Sequence, residues 1–275
     1  MAIKIDRYNC EALVNKGNCL FVCNELYRAK ELYLEAIGVA SYCLEAIYNL
    51  GLVCKQACEY NEALIAFTKL QEITKNNCDV LWQLGDIYHK ISNYKKAHEY
   101  LSLILTQGMA RGRPNDPTVL ARIGELYEIE GNEVEAYHNY MESYRNWPLD
   151  LTVITWLGVY YVKKDLFESA IPLFKRASDI SPSEPKWMLM IASCYRRMGN
   201  QQKAYNMYEH IYRRFPHNIE PLRYLVSICK DMGNNTAYEQ YMKILNKLQH
   251  HHNKDEDEQC NRLDKSEEND DETVV

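Results

Sequence analysis

Apolar residues along this chain recur at intervals of three and four, the spacing of amphipathic helices. Leu120, Ile123, Gly124 and Tyr127 share one such stripe, and after a polar turn Ala136 and Tyr140 continue it on a second segment. The same helix–turn–helix pattern returns at a fixed distance. Gly17, Gly51, Gly85, Gly124 and Gly158 are 34, 34, 39 and 34 residues apart, and Ala192 and Val226 extend the series by 34 each. Ala29, Ala63, Ala97, Ala136, Ala170 and Ala204 run twelve residues behind with the same steps. Two in-phase series of small residues predict hairpins whose two helices cross closely, because a larger side chain at the crossing would hold their axes apart. Tyr33, Tyr88, Tyr127, Tyr140, Tyr161, Tyr195 and Tyr208 are expected to fill the large slots between helices. There the ring supplies volume and the hydroxyl reaches the wet edge.

Pro148, Pro182 and Pro216 lie 34 apart just after each second helix, where the fixed φ and missing N–H end it. This period resembles the tetratricopeptide repeat. It predicts an all-α, right-handed superhelical solenoid of about seven hairpins over residues 1–248, with repeats starting near 10, 44, 78, 117, 151, 185 and 219. Residues 249–275 are expected to form a disordered acidic tail. The seventh hairpin carries Val226 and Tyr238 where small residues belong, as a terminal capping repeat would. The single step of 39 places five extra residues in TQGMARGRPNDP, with Arg111 and Arg113, and predicts an exposed loop there. At the other end Cys10 opens a helix at once, so Leu13 and Leu20 are expected to be partly exposed. An uncovered end of this kind suggests the C-terminal part of a longer array, which upstream sequence would stabilise.

First helices of such an array are expected to line a concave groove, with repeat positions 5, 9 and 12 facing it. These are Val14, Asn18 and Phe21; Tyr48, Leu52 and Lys55; Trp82, Asp86 and His89; Ala121, Glu125 and Glu128; Thr155, Val159 and Val162; Leu189, Ser193 and Arg196; Arg223, Ser227 and Lys230. The lining reads aromatic and apolar at the front, acidic in the middle and basic at the end, where Lys186 and Arg197 add to it. Such a groove suits an extended or helical segment anchored at Tyr48 and Trp82. A carboxylate clamp for peptide C-termini needs Lys, Asn and Lys or Arg at matched positions of successive repeats. Asn18 stands instead between Val14 and Phe21, and the third repeat offers Asp86.

Composition narrows the chemistry. With 275 residues, 47% hydrophobic and 25% charged, the chain falls in the globular range and outside wholesale disorder. Its net charge of −6 is uneven, because residues 249–275 hold ten acidic and three basic side chains, whereas residues 1–248 hold 28 and 29. The repeat region therefore has no global electrostatic reason to bind nucleic acid or an anionic membrane. No apolar run approaches the roughly 18 residues of a membrane span, and no signal peptide is evident, so a soluble intracellular chain is expected. Ten dispersed cysteines without a CxxC pair read as reduced thiols. Cys19 with Cys23 and Cys54 with Cys58 have one-face helical spacing, but Cys54 stands in a tyrosine slot, which burial explains without a metal. The His250–His252 run reads as linker, and the terminal ETVV, with Thr273 and Val275, resembles a PDZ ligand. Neither GxxxxGK[ST] nor HExxH occurs, and an open repeat surface offers no closed pocket for acid–base work. No enzyme activity, cofactor or small-molecule substrate is expected.

Several stretches are more particular than the repeat itself. KIDRYNCEALVNKGN, EAIYNLGLVCK, GELYEIEGNEVEAYHNYMESYRNWPLDLTVITWLGVYYV and FKRASDISPSEPKWMLMIASCYRRMGNQQKAYNMYEHIYRRFPHNIEPLRYLV resemble the C-terminal repeats of the intraflagellar transport protein 88 (polaris) family. The resemblance implies a non-catalytic scaffold subunit of the intraflagellar transport B core, carried by kinesin-2 and dynein motors. It also implies a place at the cilium, axoneme and basal body and a role in assembling cilia. The missing upstream repeats, the enlarged loop at Gly108–Pro114 and the short tail depart from that family. The alternative is a general cytosolic adaptor that uses the same repeats for an unrelated complex.

Overall fold

The computed structural model describes residues 9–75, 77–110 and 115–248. Among these residues every regular element is a helix: α1 (Cys10–Val22), α2 (Leu26–Val39), α3 (Leu44–Gln56), α4 (Tyr60–Thr74), α5 (Cys78–Lys90), α6 (Tyr94–Ala110), α7 (Pro117–Ile129), α8 (Glu133–Asn146), α9 (Leu151–Lys163), α10 (Phe167–Ile180), α11 (Pro185–Arg197), α12 (Gln201–Arg214) and α13 (Glu220–Asp231). A further helix, α14, covers 235–248. The chain divides into two compact units, Met1–Pro148 and Leu149–Val275. In each unit consecutive helices pair into hairpins across very short turns, and the second helix of one hairpin packs on the first of the next.

Each hairpin closes the same way. The turn residue adopts a left-handed conformation at Asn24, Cys58, Ser92, Gly131, Asp165, Gly199 and Gly233, again in steps of 34 with one of 39. The amide after it bonds back to a carbonyl five residues earlier, as in Glu25 to Leu20 at 2.9 Å, Asn132 to Tyr127 at 2.8 Å and Asn200 to Tyr195 at 2.9 Å. This is the Schellman closure, which satisfies carbonyls that a helix end otherwise leaves unpaired. Four of the seven first helices open on side-chain caps: Asn9, Asn77, Asp116 and Asp150 accept from amides of the first turn. Pro148, Pro182 and Pro216 each stand two residues past the ends of α8, α10 and α12, just after the C-caps Trp147, Ser181 and Phe215, as their spacing predicts.

The glycine series makes room for a large side chain, an aromatic ring at four of the five positions. A Cβ at Gly17 would lie 2.6 Å from the Tyr33 ring; at Gly51, 2.6 Å from Phe67; at Gly85, 2.9 Å from Leu101; at Gly124, 3.0 Å from Tyr140; and at Gly158, 2.5 Å from Phe174. In every case the large residue comes sixteen positions later, on the second helix of the same hairpin, and it is buried. Tyr208 holds the same position opposite Ala192, and both are fully buried. The alanine series at 29, 63, 97, 136, 170 and 204 is wholly inaccessible. Tyr33, Tyr140 and Tyr208 thus belong to the slot opposite the small residue, glycine or Ala192, while Tyr88, Tyr127, Tyr161 and Tyr195 are half-buried on first helices.

Two expectations need correction. Leu13 is 1% exposed, because α2 and α3 cover it with Ala29, Tyr33, Ala36 and Ala46; Leu20 does remain half-exposed. The extra five residues are also not all loop. α6 has 17 residues against 14 in α2 and α8, so the insertion lengthens the helix as far as Ala110, and Gly108 is helical. Arg111 and Arg113, the His250–His252 run and the ETVV terminus lie outside the described residues.

Candidate protein-interaction face

The first helices carry the residues singled out for binding, and their burial sorts them. Val14 is 2% exposed and Leu189 8%, so neither lines an open groove. In these two cases the residue joins a core shared with the first helix of the following hairpin: Val14 clusters with Ala46 and Val53 of α3, and Leu189 with Leu222 and Leu225 of α13. At Val14 and Leu189 position 5 is therefore a seam between first helices, whereas Tyr48 and Trp82 at the same position stay half-buried. Asn18, Phe21, Tyr48, Leu52, Trp82, Val159, Val162 and Arg196 are half-buried, and Glu128, Arg197, Arg223 and Lys230 are exposed.

Asn18 has a structural task. Its Oδ1 accepts from the Tyr33 hydroxyl at 2.7 Å and from Asn49 Nδ2 at 2.8 Å, tying α1 to α2 and to α3. Tyr48 meets Phe67 edge-on at 5.5 Å between centroids, and its hydroxyl accepts from Gln83 at 3.4 Å. Trp82 keeps a half-exposed ring with the Arg122 guanidinium 5.9 Å from its centre, a cation–π contact between α5 and α7.

Three first helices in Met1–Pro148 are joined by charge. Lys55 of α3 reaches Asp86 of α5 at 2.6 Å, and Arg122 of α7 reaches the same carboxylate at 3.2 Å. Arg122 also binds Glu125 at 2.9 Å, and His89 of α5 stands 3.6 Å from Glu125. Asp86 is 8% exposed, and burial alone would raise its pKa. The hydrogen bond from Lys55 and the charges of Lys55, Arg122 and Lys90 outweigh that and hold it below 3.8. In the middle of the face Asp86 is neutralised by Lys55, itself a lining position, and by Arg122, which is not one; Arg122 also pairs with Glu125, while Glu128 stays exposed. The missed signal was Arg122, which stands three residues before Glu125 on the same helix face.

In Leu149–Val275 the lining turns basic. Arg196 lies over the Tyr224 ring at 5.4 Å, and Arg197 lies over Phe167 at 4.8 Å and pairs with Asp165 at 3.2 Å. Arg223 and Lys230, seven residues apart on α13, share one side of that helix and are in no ion pair among the described residues.

The cysteine pairs do not converge. Cys19, Cys23 and Cys58 are exposed, while Cys54 is buried in its slot, where desolvation pushes the thiol up to about 11. Cys54, Glu59 and Glu62 do bring ligand atoms within 4.8 Å of one another. Lys30 already neutralises both carboxylates, at 2.5 and 2.6 Å. No helix among the described residues is long and apolar enough to cross a membrane.

These hairpins, their 34-residue frame and their small-for-large packing form a tetratricopeptide-repeat fold, and residues 188–218 match the family described as tetratricopeptide repeat. A solved tetratricopeptide-repeat protein from Cytophaga hutchinsonii superposes with a TM-score of 0.70 at 16% identity, covering 86% of this chain and 95% of that one. Within that class the chain is similar to the human intraflagellar transport protein 88 homolog, with 51% identity over 71 residues. That stretch is 26% of this chain and 9% of the human protein. It is also similar to the bovine BBSome complex member BBS4, 20% identical over 90% of this chain and 53% of that protein. The chain thus spans a small part of the first relative and about half of the second.

Proposed function

We propose that this chain is a non-catalytic scaffold segment of an intraflagellar transport B complex, which holds neighbouring subunits on the first-helix face of its repeats. The observation that carries the reading is the 51% identity with the human intraflagellar transport protein 88 homolog, on a chain whose fold is built for protein contact. Half-buried Tyr48 and Trp82 are rigid rings on that face, the residue types that dominate interfaces. Contact with kinesin-2 and dynein would then be indirect, through the assembled complex, and the site of action would be the basal body and axoneme. The similarity to BBS4 favours a second reading, in which the same repeats serve a different multiprotein assembly.

Affinity purification of the tagged chain from ciliated cells, with mass spectrometry, separates the two. Transport B subunits should co-purify, and the tagged chain should concentrate at basal bodies and along cilia. Recovery of an unrelated assembly with a diffuse cytosolic signal would sink the first reading. Trp82→Ala should weaken subunit binding by more than about 1 kcal/mol with helicity intact. If neither Trp82→Ala nor Tyr48→Ala changes binding, the contact lies on another surface.

A further inference from the structure

Charge in this protein is divided more sharply than the near-neutral total of the repeats suggests. Residues 1–148 hold 15 basic and 19 acidic side chains, a net of −4. Residues 149–248 hold 14 and 9, a net of +5, and residues 249–275 hold 3 and 10, a net of −7. The most acidic segment of the chain therefore directly follows its most basic one.

The basic excess includes a surface patch. Arg223 and Lys230 project from one side of α13, with exposed Ser227 between them. Arg196 of α11 reaches across to the Tyr224 ring of α13 at 5.4 Å, which places a third cation beside that helix. The equivalent inner positions of the two helices, Leu189, Ser193, Arg196, Arg223, Ser227 and Lys230, contain no carboxylate. Glu220 and Asp231, at the two ends of α13, form no ion pair with Arg223 or Lys230 among the described residues. In Met1–Pro148 the cation at a matching position, Lys55, is already paired with Asp86. Among the described residues, the cations at these positions that meet no carboxylate are Arg196, Arg223 and Lys230.

We propose that residues 249–275 occupy this face of α11 and α13, with the acidic blocks Asp255–Glu258 and Glu267–Glu272 against Arg196, Arg223 and Lys230. The segment begins one residue after α14, in the hairpin that carries two of the three cations. Twenty-seven residues reach at most about 90 Å when extended and span about 28 Å on average when flexible. A tether of that length gives an effective concentration near the millimolar range, so an individually weak electrostatic contact becomes occupied. The sign of residues 1–148 repels the same segment. The occupied face is also the one an acidic stretch of a partner would use, so such a partner would have to displace the tail. This inference does not depend on which complex the protein joins.

Zero-length carbodiimide coupling of the intact chain tests it, because an amide forms only where a lysine amine touches a carboxylate. Within monomers, Lys230 should couple to Asp255–Glu272 at least tenfold more than Lys69 or Lys95 of the first unit does. That excess should collapse at 0.5 M NaCl, where the screening length is only about 4 Å. The full-length double variant Arg196→Glu, Arg223→Glu should lose the Lys230 adducts at least fivefold while keeping its far-ultraviolet circular dichroism. A synthetic peptide of residues 249–275, added in excess, should suppress them as well. The proposal is overturned if tail carboxylates couple equally to lysines of both units, if they couple only between chains in covalent dimers, or if no adduct reaches α13.

Discussion

At Gly158 the edge of the Phe174 ring stands where a methyl group would go, 2.5 Å from an added Cβ and deep in the hairpin. The ring is fully buried and cannot swing out, so Gly158→Ala should destabilise the protein by about 1–3 kcal/mol in urea unfolding. Gly38, also helical, has no atom within 4 Å of its Cβ position. Gly38→Ala should therefore stabilise by about 0.5–1 kcal/mol, since only the helix-propensity gain remains. Equal effects of the two substitutions would mean that the glycine series does not exist for the ring. Gly124, 3.0 Å from Tyr140, is expected to fall between them.

At the level of the helix, the recurrent left-handed turn residue is the part of the design most open to improvement. Gly131, Gly199 and Gly233 adopt that conformation without strain, but Ser92 does so at φ 61° and Cys58 at φ 61°. A single non-glycine residue in this region costs on the order of 1 kcal/mol. Ser92→Gly should raise the unfolding free energy by roughly 0.5–1 kcal/mol, read from the urea midpoint, and no gain would show that Ser92 has a compensating contact. The helices and their frame were legible because small residues, prolines and apolar stripes all repeat in the same register. The turn conformation was legible only where Gly-Asn marks it, at 131–132, 199–200 and 233–234, and not at Asn24, Cys58, Ser92 or Asp165, whose side chains hide the backbone requirement. The groove was less legible. Repeat position alone sent Val14 and Leu189 to the open face, whereas neighbouring first helices approach closely enough to bury both. Asn18 had a polar side chain in a predicted lining position, yet its partners Tyr33 and Asn49 come from two other helices, a convergence no one-dimensional pattern contains.

Taken as a whole, residues 9–148 are fastened along their first helices by charge as well as by apolar contact. Asp86 is the shared acceptor, with a side chain only 11% exposed. Its pKa is lower folded than the ordinary 3.8, so its contribution to stability is complete above that value and fades as pH falls through the folded one. Chemical denaturation between pH 6 and 2 should show this acid-side loss, and Asp86→Asn should flatten part of it. At neutral pH the same substitution should cost on the order of 3 kcal/mol, because Lys55 and Arg122 lose their common partner. An unchanged acid limb in Asp86→Asn would assign the loss to other carboxylates. Arg122 bears on the interaction face too, since it covers Trp82 and links to Glu125 at once.

That shared carboxylate also sets how the hairpins can come apart. Repeat arrays held only by nearest-neighbour contact fray one unit at a time from an end. Here, opening the hairpin of α5 and α6 would strand a lysine from the hairpin before it and an arginine from the hairpin after it, both partly withdrawn from water. Detaching either neighbour leaves Asp86 half-compensated. The second, third and fourth hairpins are thereby expected to open together, and the first is held to the second by its own ion pairs, Lys30 with Glu59 and Glu62, beside the Asn18 bridge.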